Sequence, residues 1–147
     1  MKIAYFEESH LEECATIFTN HYNGDDFGCT FTTELSATYL KELQFRPRFV
    51  GFVLLKKDQV IGFAFCHLKT WSEADELQID EFIMKDNFQR KGLGTKLLSF
   101  IYDYAKTLKL GGITTTTNVI ALTDFYQKND FLEHEITFLY KGISSNN

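Results

Sequence analysis

NFQRKGLGTKLL, residues 87–98, is the stretch on which the reading of the fold turns. Three polar or cationic side chains, Gln89, Arg90 and Lys91, run into Gly92 and Gly94, and an apolar helical pattern begins at once. Behind the stretch, LQIDEFIM (77–84) is enriched in Ile, Phe and Met and predicts a strand. Ahead of it, apolar residues at 93, 97, 98, 101, 105 and 108 predict an amphipathic helix over 93–108. A strand that turns straight into a helix presents N–H groups with no partner inside the helix, and the helix dipole adds roughly half a positive charge there. Glycines let a ligand come close to the backbone, and Arg90 and Lys91 add full charges. Such a corner is an anion site, and phosphate is its usual occupant.

Working outward, residues 2–6 predict an opening strand, and Ser9 with Glu12 has the spacing of a capping box for a first helix. Residues 20–31 read as a loop with Gly24, Gly28 and interleaved aromatics. Thr32 or Thr33 caps a second helix that ends near Pro47. Residues 49–56 and 60–68 are β-rich and separated by Lys57-Asp58-Gln59, a hairpin length. Beyond the central helix, Gly111-Gly112 is placed to close it, and ITTTT (113–117) follows as a strand. A short helix over 121–129 and a last strand over 136–141 complete the chain, apart from a polar tail at 144–147. The order β-α-α-β-β-β-α-β-α-β implies one mixed α/β domain over 1–143 with a largely antiparallel sheet.

Composition narrows the function classes. The 147 residues carry a net charge of -5, which argues against general nucleic-acid binding. No 18-residue apolar run exists to span a membrane. MKIAYFEESH turns acidic by Glu7, so a secretory signal is not expected. Cys14, Cys29 and Cys66 are odd in number and form no C-x-x-C pair, so neither a disulfide framework nor a metal site is suggested, and a reducing cytoplasm is the expected home.

Two phosphate fingerprints fail on the central stretch. A dinucleotide-binding G-x-G-x-x-G/A would need a small residue where Leu97 stands, and Gly94-Thr95-Lys96 has the wrong order for a P-loop. The pattern Q/R-x-x-G-x-G/A does fit, as Gln89-Arg90-Lys91-Gly92-Leu93-Gly94. In this the sequence resembles the GNAT superfamily of acetyl-CoA-dependent N-acetyltransferases. A later patch, Asn118, Ala121, Phe125, Tyr126, Lys128 and Phe131, is similar to that family's N-x-x-A-x-x-x-[FY]-Y-x-K-x-G-F, with Asp130 where the family has glycine. The resemblance spans residues 11–131. FVGFVLL, VIGFAF, Trp71 and LQIDEFIM are most similar to aminoglycoside-acetyltransferase-like members.

The resemblance implies a splayed sheet flanked by helices, acetyl-CoA as acyl donor, and no metal. Backbone groups of Phe82, Ile83 and Met84 would pair with the pantetheine arm, the Met84 N–H facing the thioester oxygen, where a fixed donor matters most as charge develops. The loop and helix start from Gln89 through Arg90, Lys91, Gly92, Leu93 and Gly94 to Thr95 would hold the pyrophosphate, with Asn118 and Phe125 further along the cofactor. Tyr126 falls on the family's tyrosine, which protonates the departing thiolate; an ordinary aromatic on a helix face is the other reading.

For a base, simple alternation puts Ile79, Glu81 and Ile83 on one strand face, with Gln78, Asp80, Phe82 and Met84 on the other; a bulge would disturb that parity. Glu81, flanked by isoleucines, is the first candidate to take a proton from the amine, because burial raises a carboxylate's pKa. Asp80 and Gln78 come next, although Gln78 has no basic group. Asp80, with Trp71, Phe27 and Phe31, is a candidate for the acceptor side, where a cationic small-molecule amine fits the acidic residues. His67 and Cys66 face opposite ways and read as structural. A CoA-binding sensor or scaffold without turnover, a protein or peptide N-acetyltransferase, and a homodimer all stay open.

Overall fold

The computed structural model describes residues 1–117 and 119–143, in a first compact unit, Met1–Thr117, and a second that follows it. In the first unit, β1 (Lys2–Tyr5) is followed by α1 (Leu11–Tyr22), α2 (Thr33–Gln44), β2 (Phe49–Lys56), β3 (Gln59–Lys69), β4 (Glu76–Met84), α3 (Leu93–Thr107) and β5 (Gly112–Thr114). The sheet runs β1-β2-β3-β4-β5, antiparallel from β1 to β4 and parallel between β4 and β5. One sheet face buries Val53, Phe63, Phe65 and Ile83 against Leu11, Cys14, Phe18 and Leu40 of α1 and α2. The other carries Phe52, whose ring meets Phe100 and Tyr104 of α3. Each large side chain sealed in these layers contributes ~1.5–3 kcal/mol of transfer free energy.

Local signals explain most element ends. Thr32, not Thr33, caps α2 by accepting the Leu35 N–H. Ser9 does not cap the first helix: a short 3₁₀ turn, Glu8–His10, precedes α1, and the Glu7 N–H donates to His10 Nδ1 at 3.0 Å. The β2–β3 hairpin closes on two residues, Lys57 and Asp58, both with positive φ (49° and 63°), the geometry that matches strand twist. The C-terminal turn of α3 is left-handed at Lys109 (φ 57°), ahead of Gly111-Gly112, and Gly111 instead donates its N–H to the Asp75 carbonyl. β5 stops at Thr114, so 115–117 lie outside the ladder despite their β-branched side chains.

The second unit contains α4 (Ile120–Lys128). Asp130, standing where the resembled motif has glycine, takes the left-handed conformation itself (φ 68°), which Asp tolerates better than most residues. Residues 136–141 form no strand. Their β propensity is real, but a strand needs a neighbouring edge for its N–H and C=O groups, and Ile136, Phe138, Leu139 and Tyr140 stay exposed. Asn118 and the tail 144–147 lie outside the described residues.

Candidate active site

β4 does not keep simple alternation. Its register against β3 passes from Glu81↔Phe65 to Ile79↔Cys66, so Asp80 is an extra residue, a bulge. Residues directly opposite in an antiparallel pair share a face. Glu81 and Ile83 therefore face α1 and α2 with Phe65 and Phe63, whereas Ile79 and Leu77 join Cys66 and Leu68 on the α3 side. Gln78, opposite His67, joins the α1–α2 side, and Asp80 bonds to both. The expected sharing of one face by Ile79, Glu81 and Ile83 is thus corrected: the bulge sets two consecutive carboxylates among polar partners on one side of the sheet.

Those carboxylates have different surroundings. Asp80 Oδ2 lies 2.7 Å from His67 Nδ1, and Oδ1 accepts from Arg46 Nη1 at 3.1 Å and Gln78 Nε2 at 3.2 Å. Arg46 and His67 thus compensate part of its charge. Glu81, 8% exposed, accepts from two phenols: Tyr22 donates to Oε2 at 2.8 Å and Tyr39 to Oε1 at 2.9 Å. Burial pushes its carboxyl up to about 7, against the two phenol bonds, and the Asp80 charge adds to the rise. Burial, then the Glu81 charge, raises both phenols far above their ordinary range, so they act as donors.

An aromatic shell surrounds this carboxylate. Tyr22 meets Phe18 at 4.5 Å and Phe27 at 4.8 Å between ring centroids, and Phe31 packs edge-on to Phe18 at 5.0 Å. Asn23 ties the loop by exchanging two hydrogen bonds with the Phe31 backbone, each 2.8 Å. The helices are tied by the Thr19 and buried Ser36 hydroxyls at 2.6 Å. Phe27 and Phe31 thus gather with Glu81. Trp71 does not: it stands 61% exposed beyond the other end of β4, under the Lys69 ammonium. Sequence reasoning missed Tyr22, Tyr39, Arg46 and the His67–Asp80 bond. The one signal available for the tyrosines was their place on the apolar faces of two helices, where a hydroxyl needs a buried partner.

The outer edge of β4 follows from hydrogen-bond phase. Lys85 donates to the Ile61 carbonyl at 2.8 Å, so Lys85, Ile83 and Glu81 turn their backbone groups toward β3. Phe82 and Met84 turn theirs the other way. β5 pairs with β4 only at Glu76, Leu77 and Gln78, and Thr115 Oγ1 reaches the Ile79 carbonyl at 3.3 Å. The strands' ladder therefore ends well before Met84. The Met84 carbonyl accepts from Gln89 Nε2 at 3.0 Å, so Gln89 braces the loop by its side chain.

The corner itself is built by backbone. Arg90 (φ 60°) and Gly92 (φ 77°) are left-handed, and Gly92 leads into right-handed α3, a sequence that turns successive N–H groups to one side. The N-cap is Gly92, which brings no side chain to the helix start. A Cβ at Gly92 would meet nothing within 4 Å, so the space before it is open. A concavity of about 390 Å³, whose lining includes Gly92, Thr95 and Lys96, adjoins it. Lys56 and Lys91 flank the Phe88 ring at 5.2 and 5.7 Å, adding positive charge. These residues fit a pyrophosphate. In the second unit, Tyr126 is buried, its ring 5.2 Å from Phe125 and 5.3 Å from Phe131. Among the described residues no group of three acidic, His or Cys side chains gathers to hold a metal, and no helix is long and apolar enough to cross a membrane.

Solved structures with this fold include a transcriptional regulator from Bacillus halodurans, 16% identical over 95% of this chain and 99% of its own, TM-score 0.79. A GNAT family acetyltransferase from Staphylococcus aureus is 20% identical, covering 95% and 97%, TM-score 0.73. An aminoglycoside acetyltransferase from an uncultured soil metagenomic sample, in complex with sisomicin, is 18% identical, covering 97% and 96%, TM-score 0.75. At these identities the likeness shows the fold. A sequence match to the acetyltransferase (GNAT) family extends over residues 12–131, taking in both helices before the sheet, the glycine corner and α4. The chain belongs to the acetyltransferase (GNAT) family.

Proposed function

We propose that this protein transfers the acetyl group of acetyl-CoA to a primary amine of a small, cationic molecule by direct attack, without a covalent enzyme intermediate. The observation that carries the proposal is Glu81: a buried carboxylate whose pKa is raised to about 7 on β4, three residues before the strand end that leads into the anion corner. An amine is largely protonated near pH 7 and must lose a proton before its lone pair can attack. A carboxylate titrating near that pH has the proton affinity for the task, and general-base help of this kind contributes about 10²–10⁴-fold.

Acetyl-CoA supplies the activated acetyl group. Gly92, Arg90, Lys91 and the first turn of α3 would hold its pyrophosphate, and the Met84 N–H is on the strand edge where a developing oxyanion needs a donor. Glu81 takes the ammonium proton through water, the new C–N bond forms as C–S breaks, and Tyr126 gives its proton to the thiolate. The role of Tyr126 rests on its match to the family motif. The three free thiols, two of them buried, suit a reducing cytoplasm.

Release of free thiol from acetyl-CoA, followed with a panel of amines, tests the proposal. Polycationic amines come first, given the fold shared with the aminoglycoside acetyltransferase solved with sisomicin. The expected result is amine-dependent thiol release with one small-molecule class. Release only with peptides makes the protein a peptide acetyltransferase, and CoA binding without release for any amine makes it a sensor.

A further inference from the structure

We propose that Tyr22 and Tyr39 are positioning residues for Glu81, one from each helix, which orient its carboxylate and hold it deprotonated, ready to take a proton. The inference deepens the reading of Glu81 as proton acceptor and rests on it. Its ground is geometric. Each carboxylate oxygen is held by one phenol, each phenol comes from a different helix, and the two bonds are 2.8 and 2.9 Å. The helices are locked to each other by the Thr19–Ser36 hydroxyl pair, and the loop between them by the Asn23–Phe31 clamp. That helix pair covers the sheet face on which Glu81 stands, so whatever shifts it shifts the carboxylate's donors.

Every charged or titratable neighbour has a definable sign. Tyr22 from α1 and Tyr39 from α2 stabilise the carboxylate and favour proton loss. Asp80 beside it on β4 favours proton retention, with His67 and Arg46 behind it compensating part of that charge. Cys29 adjoins Tyr22 rather than Glu81. Removing a phenol must therefore move the Glu81 midpoint upward, and removing the Asp80 charge must move it downward. A merely structural role for the tyrosines would lower melting temperature and leave the midpoint in place.

The test is a carboxyl-detected NMR titration of the full chain, with the Glu81 signal assigned by its loss in Glu81→Gln. In Tyr39→Phe the midpoint should rise by about one pH unit, about a tenfold change in proton affinity for one hydrogen bond to a charged acceptor. Tyr22→Phe carries the same measurement should Tyr39→Phe fail to fold. Asp80→Asn should move the midpoint the opposite way. The acid limb of kcat, from thiol release, should follow each shift. An unmoved midpoint in a folded Tyr→Phe variant overturns the proposal. Separately, kcat unchanged in Glu81→Gln overturns the reading beneath it, whatever the titration shows.

Discussion

The two halves of the candidate site are made of different material. The corner at residues 88–94 is a backbone construction, with left-handed Arg90 and Gly92, a glycine at the helix N-cap and open space before Gly92. The Glu81 region is a side-chain construction, closed and nearly satisfied, with donors arriving from 59 and 42 residues away in sequence. One is shaped to receive a ligand's phosphates, the other to hold a proton at a chosen pH. Substitutions should therefore separate them: changes at the corner should act on CoA affinity, and changes at Glu81 on turnover and its pH dependence.

The largest effect should come at the corner. Gly92→Asp puts a side chain and a negative charge into the open space, and CoA affinity measured by calorimetry should fall by at least about 100-fold, or about 2.7 kcal/mol. Gly92→Asn, of similar size and tolerant of positive φ, should lose distinctly less. Equal losses would show that charge is not what the corner reads.

Glu81→Gln should lower kcat about 10²–10⁴-fold while leaving CoA affinity near wild type. The same substitution should flatten the pH dependence of stability. The Glu81 pKa is raised on folding, from 4.5 to about 7. Its stabilising contribution is therefore fully present below about pH 4.5 and is lost as pH rises through about 7, about 3 kcal/mol in all. Urea melts across that window should show the decline in wild type and not in the variant.

Tyr126→Phe should reduce kcat and keep acetyl-CoA affinity nearly intact, because only the phenol's proton is removed. Undiminished turnover would take Tyr126 out of the mechanism. The smallest effect should be a control outside both regions. Replacing Lys57-Asp58 by Asn-Gly relieves two positive-φ residues at the β2–β3 turn and should stabilise the fold by about 1 kcal/mol, read as a higher denaturant midpoint, with kcat unchanged.

The same difference in material explains what the sequence made legible. A glycine corner is local: strand, cations, glycines and helix follow one another within a dozen residues, so the pattern carried its own context. The helix boundaries of α1, α2, α3 and α4 fell close to expectation for the same reason. Glu81 was readable as a carboxylate among apolar neighbours, but the bulge at Asp80 was not, because a bulge is decided by register against β3 rather than by β4 alone. The tyrosine pair and the Arg46–Asp80–His67 cluster depend on how two helices lie on the sheet, which no spacing along one element encodes. Residues 136–141 fail in the opposite sense: β-forming side chains are present in the sequence, and no strand forms there.

The most direct test of the account is kcat for amine-dependent thiol release from acetyl-CoA, measured with the wild-type protein from about pH 5.5 to 9. The account predicts a rate that climbs through an apparent pKa of about 7, the proton affinity of Glu81 in its phenol shell. A rate that is flat across that range, or tight CoA binding with no thiol released for any amine, would contradict it.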